Sequence, residues 1–418
     1  MNPQEPFLRR SAQWLTFASA LTILISIAAS ETLLALAVAA LLLSGEKLRF
    51  PPVKLPLALF MIGTIISWAF SGEMAAGIPG IRKFYLFLVL LVVFSTLRDL
   101  KLARALVLGW ALVAAVAGVV GLVQFAAKVK EAHAAGRGFY DYYVPGMRIT
   151  GFTSHWMTFS GLQMFALVMI VAFLFFAPGG SRRVWLWLLC AALIFVSLVL
   201  AMTRNSWLGS AVGLLYLLWF WRRWLVAAVP VMAVLAFLLA PAVVRERVVS
   251  AVRPTPNVDS NQFRVVTWRT GLQIIREHPL LGLGPEGVKL HFLEYVPADI
   301  PRPLPDGWYG HLHNIYLQFA AERGIPTMLA LMWMLLRILR DFWLGLRRLP
   351  PGRGNARFLL HGGIAVLLAT CLAGLFEHNL GDSHVLTMFL VVVACGYLAL
   401  EKEAIAKEGQ VKERAAVG

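Results

Sequence analysis

Charged residues are scarce in this chain of 418 residues. They make up 14% of the sequence, whereas hydrophobic residues make up 59%. A soluble domain typically has about 25% charged and about 45–50% apolar residues. The composition therefore excludes an ordinary soluble enzyme, and it also excludes a disordered chain, which would be poor in hydrophobic residues. It predicts an all-α polytopic membrane protein.

Cysteine is almost absent, and no C-x-x-C spacing occurs. The three cysteines, Cys190, Cys371 and Cys395, each lie inside an apolar run. This usage indicates neither a zinc site nor a disulfide framework. We expect three free thiols that pack as small hydrophobic side chains.

Acidic residues are also few, 22 against 38 lysines and arginines, which gives a net charge of +16. In a soluble protein this excess would suggest nucleic acid as a partner. In a membrane protein the position of the basic residues matters more, because they concentrate in cytoplasmic loops.

About twelve apolar runs are candidates for membrane spans. They are residues 12–29, 31–44, 55–71, 83–97, 104–127, 156–177, 184–202, 206–221, 224–243, 314–338, 358–376 and 385–400. With the N-terminus in the cytoplasm, every inner segment carries at least two basic residues, which predicts that both termini are cytoplasmic. No clean cleavage site follows the first run, which is therefore expected to be a span rather than a signal peptide.

Four regions follow from these spans. Residues 1–243 hold spans one to nine and an outer segment at 128–155. Residues 244–312 form a long basic periplasmic loop, 313–400 hold spans ten to twelve, and 401–418 form a cytoplasmic tail. Apolar residues at helical spacing predict an amphipathic helix at 262–278. A loop of this length is usually functional.

Arginine and histidine residues at the outer ends of the spans are the candidates for chemistry. Arg204 is the only charge in the turn at 201–207; it either snorkels to the interface or binds a phosphate. His313 is either an interfacial histidine or a general base. The neighbouring Asn314 is a candidate to orient a substrate hydroxyl.

Motifs for metals and nucleotides are missing. No helix pairs two histidines with a glutamate, and the short first outer loop holds no pair of acidic residues. A metal-dependent glycosyltransferase is therefore disfavoured. The glycines of the turn at 279–284 lack the Lys-Ser/Thr of a P-loop, so the turn is expected to end a helix and to bind no ATP.

Four motifs between residues 148 and 325 together resemble the bacterial O-antigen ligase and polymerase superfamily. They are His313-Asn314 followed after nine residues by Gly324-Ile325, Arg148-x-x-Gly151-Phe152, Thr203-Arg204-x-Ser206-Trp207, and Arg264-x3-Trp268 ahead of the turn at 279–284. Their order along the chain and their side of the membrane agree with that superfamily.

The resemblance implies a GT-C-like helical protein of the Gram-negative inner membrane with its active site facing the periplasm. It implies an inverting, metal-independent transfer of O-antigen polysaccharide from undecaprenyl diphosphate to a sugar hydroxyl of lipid A–core, without a cofactor, ATP or nucleic acid. His313 would be the catalytic base, and Arg204 and Arg264 would bind the diphosphate. Arg148 and Arg269 are secondary candidates for the same task, and Asn314 is a secondary candidate beside the base.

Two alternatives remain open at this point. One is a polymerase or a protein O-oligosaccharyltransferase of the same superfamily. The other is a transporter of lipid-linked sugars, which twelve spans would suit. Transporters usually contain two related halves, and no internal repeat is evident in this sequence.

The orientation can be tested with single cysteines. A thiol reagent applied from the periplasm should label cysteines at positions 259 and 306, in place of Asp259 and Asp306, because both lie in the long outer loop. It should not label cysteines that replace Arg222 or Gly354. Labelling at position 354 in intact spheroplasts would reverse the predicted orientation.

Overall fold

A computed structural model of the chain describes residues 4–179, 183–253 and 261–417, and the side chains of residues 7–405 within those ranges. Asp259, one of the two labelling positions in the outer loop, lies outside the described residues. Every regular element of the described chain is a helix. The α-helices are α1 (Gln4–Thr22), α2 (Ile27–Leu43), α3 (Lys54–Ala69), α4 (Met74–Arg82), α5 (Leu88–Thr96), α6 (Leu100–Ala134), α7 (Phe139–Tyr143), α8 (Trp156–Phe176), α9 (Val184–Leu200), α10 (Arg204–Arg222), α11 (Val229–Leu239), α12 (Ala242–Val249), α13 (Asn261–Glu277), α14 (Gly287–His291), α15 (Ile315–Arg348), α16 (Asn355–Ala373) and α17 (Ser383–Val417).

The predicted spans correspond to helices, and the all-α membrane class is confirmed. Six helical stretches of the described chain are long and apolar enough to cross a membrane, among them α6, α8 and α16. Three shorter apolar helices, α2, α3 and α9, fall below that length. The number of twelve spans stays a prediction.

The centre of the bundle is formed by α8, α16 and α17, the most buried of these stretches. Glycines bring α10 close to α16: a Cβ at Gly209 would lie 2.8 Å from the carbonyl oxygen of Ala369, and one at Gly213 would lie 3.1 Å from that of Ala365. Small residues at helix contacts are typical of membrane bundles, where close backbone packing replaces the hydrophobic effect.

The long loop covers one end of the bundle. The predicted helix at 262–278 is confirmed as α13, Asn261–Glu277. Its apolar face, which includes Phe263, Val266 and Ile274, is buried, and α13 packs against α15. The three cysteines are free thiols, as expected.

Ion pairs collect at the opposite end. Arg49 pairs with Glu401 at 2.6 Å, and Arg98 pairs with Glu46. Helix α3 begins a few residues after Arg49, and its far end carries Ser67, which contacts the long loop. The sixteen residues of α3 span about 24 Å, so the ionic end and the loop-covered end lie on opposite sides of the bundle.

Helix α15 is broken at Gly324, which has φ 78° and ψ 161°. The turn at 279–284 packs against this break and satisfies its backbone groups. Leu283 N–H donates to Ala321 O at 2.9 Å, Gly284 N–H donates to Glu322 O at 2.8 Å, and Ile325 N–H donates to Pro279 O at 2.8 Å. The glycine turn therefore serves the backbone, and its amides are not available for a phosphate.

The break makes a specific demand on residue 324. An added Cβ would lie 1.9 Å from Leu280 O, and L residues are strained at this φ. Gly324→Ala should lose about 1–3 kcal/mol for the backbone conformation alone, and more for the clash. We expect a clear drop in the thermal unfolding midpoint of the purified protein in detergent.

Gly45→Ala is the matched control, because Gly45 has φ 68° with no atom within 4 Å of an added Cβ. It carries the backbone strain without the clash. Equal midpoints for the two variants would show that the contact between residues 280 and 324 is not as tight as described.

Candidate functional site

His313 and Glu377 form a hydrogen-bonded pair that joins two distant parts of the chain. His313 directly precedes Asn314, the cap of α15, and Glu377 lies between α16 and α17. The distance from His313 Nδ1 to Glu377 Oε2 is 3.0 Å. Because an ionised carboxylate only accepts hydrogen bonds, the pair assigns the proton to Nδ1 and leaves Nε2 with a free lone pair.

Glu377 is ionised in this environment. Its burial opposes ionisation, but the charge and hydrogen bond of His313, together with His311 and Arg264, outweigh that effect and hold the pKa of Glu377 well below its usual range. A carboxylate that orients a histidine in this way resembles the base-and-orienter arrangement of many active sites.

His311 lies beside this pair but in a different state. Its Nδ1 accepts from the backbone N–H of His313 at 3.2 Å, and its Nε2 lies 3.7 Å from Glu377 Oε1. Burial, and then repulsion from His313, lower the pKa of His311 to about 4 against the attraction of Glu377. His311 is therefore neutral at neutral pH.

The backbone of His313 is strained, with φ 49°. A non-glycine residue in the left-handed region persists only where its surroundings fix it, and such residues are frequent at functional sites. Here the contacts of His313 to Glu377 and His311 fix it.

The same three side chains could hold a metal ion. One ligand atom from each of His311, His313 and Glu377 lies within 4.8 Å of the others. A tetrahedral zinc ion would need these atoms about 2.0–2.1 Å from itself, which would break the hydrogen bond between His313 and Glu377. Metal binding and the use of His313 as a base are therefore mutually exclusive.

Asn314 has a structural task. Its Oδ1 accepts from the N–H groups of Tyr316 and Leu317 at 2.9 and 3.0 Å, and its Nδ2 donates to Leu375 O at 3.0 Å. These bonds cap α15 and leave one N–H of the side-chain amide without a hydrogen bond to the described chain. The role of Asn314 beside the base stays a prediction.

Four arginines, Arg148, Arg204, Arg247 and Arg264, gather on one side of the His313–Glu377 pair. Two of them bind the carbonyl oxygen of Met202, from Arg247 Nε at 3.1 Å and from Arg148 Nη1 at 3.4 Å. Met202 has φ 54°, which turns the chain between α9 and α10.

The four guanidinium groups repel one another. Burial, followed by the charge of Arg247, lowers the pKa of Arg148 to about 9, with smaller contributions from Arg264 and Arg204. Burial also lowers the pKa of Arg264, where Glu377 opposes the shift and Arg247 adds to it. Like charges held this close favour binding of a multivalent anion.

The cavity at this end has a volume of about 830 Å³. Its wall includes His313 and Glu377 as well as Arg148 and Arg247. Arg204 and Arg264, the two arginines first expected to bind a diphosphate, are not part of this wall. Arg204 instead donates to Ser250 Oγ at 3.2 Å and to Asn261 Oδ1 at 2.6 Å.

Arg269 lies apart from this group. Its Nη2 contacts both carboxylate oxygens of Asp299, at 2.9 and 2.7 Å, on an exposed surface. Its charge is already compensated there. The geometry therefore does not favour Arg269 as a diphosphate ligand.

Two site residues, Glu377 and Arg247, were missed in the sequence. Glu377 is 64 positions from His313, so spacing gave no sign of the pair, although a carboxylate between two apolar spans is unusual. Arg247 is one of two arginines in α12, and only the structure shows that it is buried, with 4% exposure.

The comparisons with known proteins agree with the motifs. A family model described as O-antigen ligase matches residues 189–332, roughly a third of the chain. That segment contains Arg204, Arg264, His313 and Gly324. No curated protein matches the chain. Over residues 189–332 the chain is thus similar to the O-antigen ligase family, and the resemblance to that superfamily is confirmed.

Proposed function

We propose that the protein is an O-antigen ligase, a metal-independent glycosyltransferase that moves a glycan from a polyprenyl diphosphate to a sugar hydroxyl of lipid A–core. The observation that carries the proposal is the His313–Glu377 pair, which lines the same cavity as Arg148 and the buried Arg247. A base and an anion site in one cavity are what transfer from a lipid diphosphate requires.

His313 acts on the acceptor. Glu377 holds the Nδ1 proton, and Nε2 takes the proton from the acceptor hydroxyl as its oxygen attacks the anomeric carbon. Ionised Glu377 also stabilises the imidazolium that forms, as the buried carboxylate of a catalytic triad does. Catalysis of this kind is typically worth about 10²–10⁴-fold in rate.

The arginines act on the donor. The bond between the anomeric carbon and the phosphate oxygen breaks as the new glycosidic bond forms, and the diphosphate leaves with additional negative charge. Arg148 and Arg247 at the cavity wall, with Arg204 and Arg264 close by, stabilise that charge in a site of low dielectric. One displacement by the acceptor inverts the configuration at the anomeric carbon.

The setting of this reaction is part of the proposal. The active site would face the periplasm of a Gram-negative inner membrane, in a GT-C-like fold with both termini in the cytoplasm. The ion pairs of Arg49 and Arg98 at the end opposite the site support this orientation, because basic residues mark the cytoplasmic side.

The related polymerase reaction uses the same chemistry with another acceptor. A deletion strain distinguishes the two: loss of a ligase leaves lipid A–core bare while long undecaprenyl-linked chains accumulate, whereas loss of a polymerase leaves single units on lipid A–core. A transporter would move labelled lipid-linked sugar across liposomes without forming a glycosidic product.

The proposal is tested by transfer with purified protein, undecaprenyl-diphosphate polysaccharide and lipid A–core in the presence of EDTA. We expect product from the wild type, and a loss of about 10²–10⁴-fold for His313→Ala with donor binding retained. His311→Ala, next to the base, should keep most of its activity. Loss of wild-type activity in EDTA would indicate that His311, His313 and Glu377 hold a metal instead.

Glu377→Gln tests the orienting carboxylate. The amide carries no charge, so the imidazolium of His313 loses its stabilising partner; we expect a rate about 10–100-fold lower. An unchanged rate for Glu377→Gln would show that Glu377 does not act on the base.

Arg204→Lys tests the diphosphate cluster. One ammonium cannot replace a guanidinium that contacts Ser250 and Asn261 from two nitrogens, so we expect about a 10–100-fold loss in transfer for a protein that still folds. Arg276→Ala, an exposed arginine of α13, should be active. Full activity of Arg204→Ala would show that Arg204 only anchors the chain at the membrane interface and does not bind the diphosphate.

A further inference from the structure

Arg323 is a buried cation that directly precedes the break in α15. It is 8% exposed and belongs to the wall of the 830 Å³ cavity. Its guanidinium lies over the rings of Phe319 and Phe60, 4.5 and 5.3 Å from their centres. Among the described residues its buried Nε has no hydrogen-bond partner, and no carboxylate forms an ion pair with it. Burying an unpaired charge is expensive.

The adjacent carboxylate attracts Arg323 but forms no ion pair with it. The charges of Glu322 and Glu286 favour the charged form of Arg323 against the effect of its burial. Glu322 Oε1 accepts from the backbone N–H of Glu286 at 3.0 Å, and the backbone of Glu322 is bound to the turn at 279–284.

Lys83 brings a second cation to the same wall. Its Nζ donates to Gly381 O at 2.8 Å, which leaves two of its three protons for another acceptor. Lys83 and Arg323 both act on His378: burial lowers the pKa of His378 well below its ordinary value, and the charges of His311, Lys83 and Arg323 add to the shift. His378 Nδ1 is buried there and has no partner within the described chain.

This pair of cations is distinct from the four-arginine cluster. Arg148 is repelled by Arg247, Arg264 and Arg204, with no contribution from Lys83 or Arg323. The His313–Glu377 pair is near both groups, because Arg264 acts on Glu377 and Lys83 acts on the neighbouring His311.

The position of the second group assigns it to the acceptor. The donor's diphosphate requires the four-arginine cluster, and the acceptor's hydroxyl must reach His313. The rest of the acceptor molecule would therefore lie near Lys83 and Arg323. The cavity wall also contains apolar side chains, Phe87, Leu331 and Phe389 among them, which suit a substrate that is part lipid.

We propose that Lys83 and Arg323 bind an anionic group, a phosphate or a carboxylate, of the acceptor glycolipid while its hydroxyl lies at His313. This inference rests on the proposed function. It gives the buried guanidinium a direct ionic contact, which no carboxylate of the described chain makes with it, and it explains how the site distinguishes a charged acceptor from a neutral glycan.

Arg323→Met is the informative variant, because methionine keeps the apolar contact with Phe60 and Phe319 and removes the unpaired charge. The fold should survive, with an unfolding midpoint equal to or above that of the wild type. In steady-state transfer we expect the KM for the acceptor to rise about 10–100-fold, with the KM for the donor unchanged. Lys83→Met should act in the same direction. Arg276→Met, which removes an exposed charge from α13, is the control and should change neither KM.

The acceptor identifies the anion. Enzymatic removal of phosphate from the acceptor, or chemical reduction of its carboxylates, should raise the wild-type KM by the same factor for whichever group is bound, and should leave Arg323→Met unaffected. The inference is wrong if Arg323→Met raises the donor KM instead, or if it leaves the acceptor KM unchanged.

A binding measurement separates this inference from the proposed function. Acceptor glycolipid added without donor should raise the unfolding midpoint of the wild type but not that of Arg323→Met. If no product forms under any condition but this stabilisation is seen, the proposed transfer fails and the anion site stands. If product forms but the two proteins are stabilised equally, the anion site fails and the transfer stands.

Discussion

The break in α15 is the constraint on which the site depends. A helix interrupted inside a bundle exposes carbonyl and amide groups that need partners. The turn at 279–284 supplies them: its amides at Leu283 and Gly284 donate to the carbonyls of Ala321 and Glu322, and its Pro279 carbonyl accepts from the amide of Ile325. The half-helix before the break has His313 just before its start and Arg323 at its end. At 1.5 Å per residue these positions are about 15 Å apart along the axis. The spacing between His313 and Gly324 thus corresponds to the length of this half-helix. A glycine is required at position 324 because a Cβ there would lie 1.9 Å from Leu280 O.

Electrostatics divides the cavity into parts with different tasks. The four arginines face one side of Glu377, whose ionised state depends on His313 and His311 as well as on Arg264. His311 remains neutral because it is buried among groups that disfavour its charge. The imidazole of His313 is thus oriented by a hydrogen bond to Glu377, whereas the imidazole of His311 is not. Two histidines that are alike in the sequence therefore differ in chemistry, and the difference arises from a residue 64 positions away.

How much of this could be predicted from the sequence differs between the fold and the site. Apolar runs located the helices, since burial in a membrane imposes a length and a hydrophobicity on each one. Their ends were less accurate: the run predicted at 12–29 corresponds to α1, Gln4–Thr22, and the run predicted at 83–97 to a helical stretch at Met74–Thr96. The amphipathic period located α13 for a similar reason. Contacts between side chains that are distant in the sequence produce no such periodic pattern. His313 was recognised through its motif, but Glu377 and Arg247 come to the cavity only through helix packing. The same packing engages Asn314 in a cap and Arg269 in a surface ion pair.

The separation of the two cationic groups bears on how two lipid-anchored substrates can meet. Both must enter from the membrane, and both would be drawn to any strong positive potential. A single basic patch would let one substrate occupy the place of the other. Four arginines together favour a diphosphate over a single phosphate, because the charge of the ligand must offset their mutual repulsion. Arg323 with Lys83 carries less charge, lies against an apolar wall and suits a group with a single phosphate or carboxylate. In the proposed arrangement the donor binds at the arginines and the acceptor at Lys83 and Arg323, so the anomeric carbon and the acceptor hydroxyl meet near His313, where the base can act on the attacking oxygen.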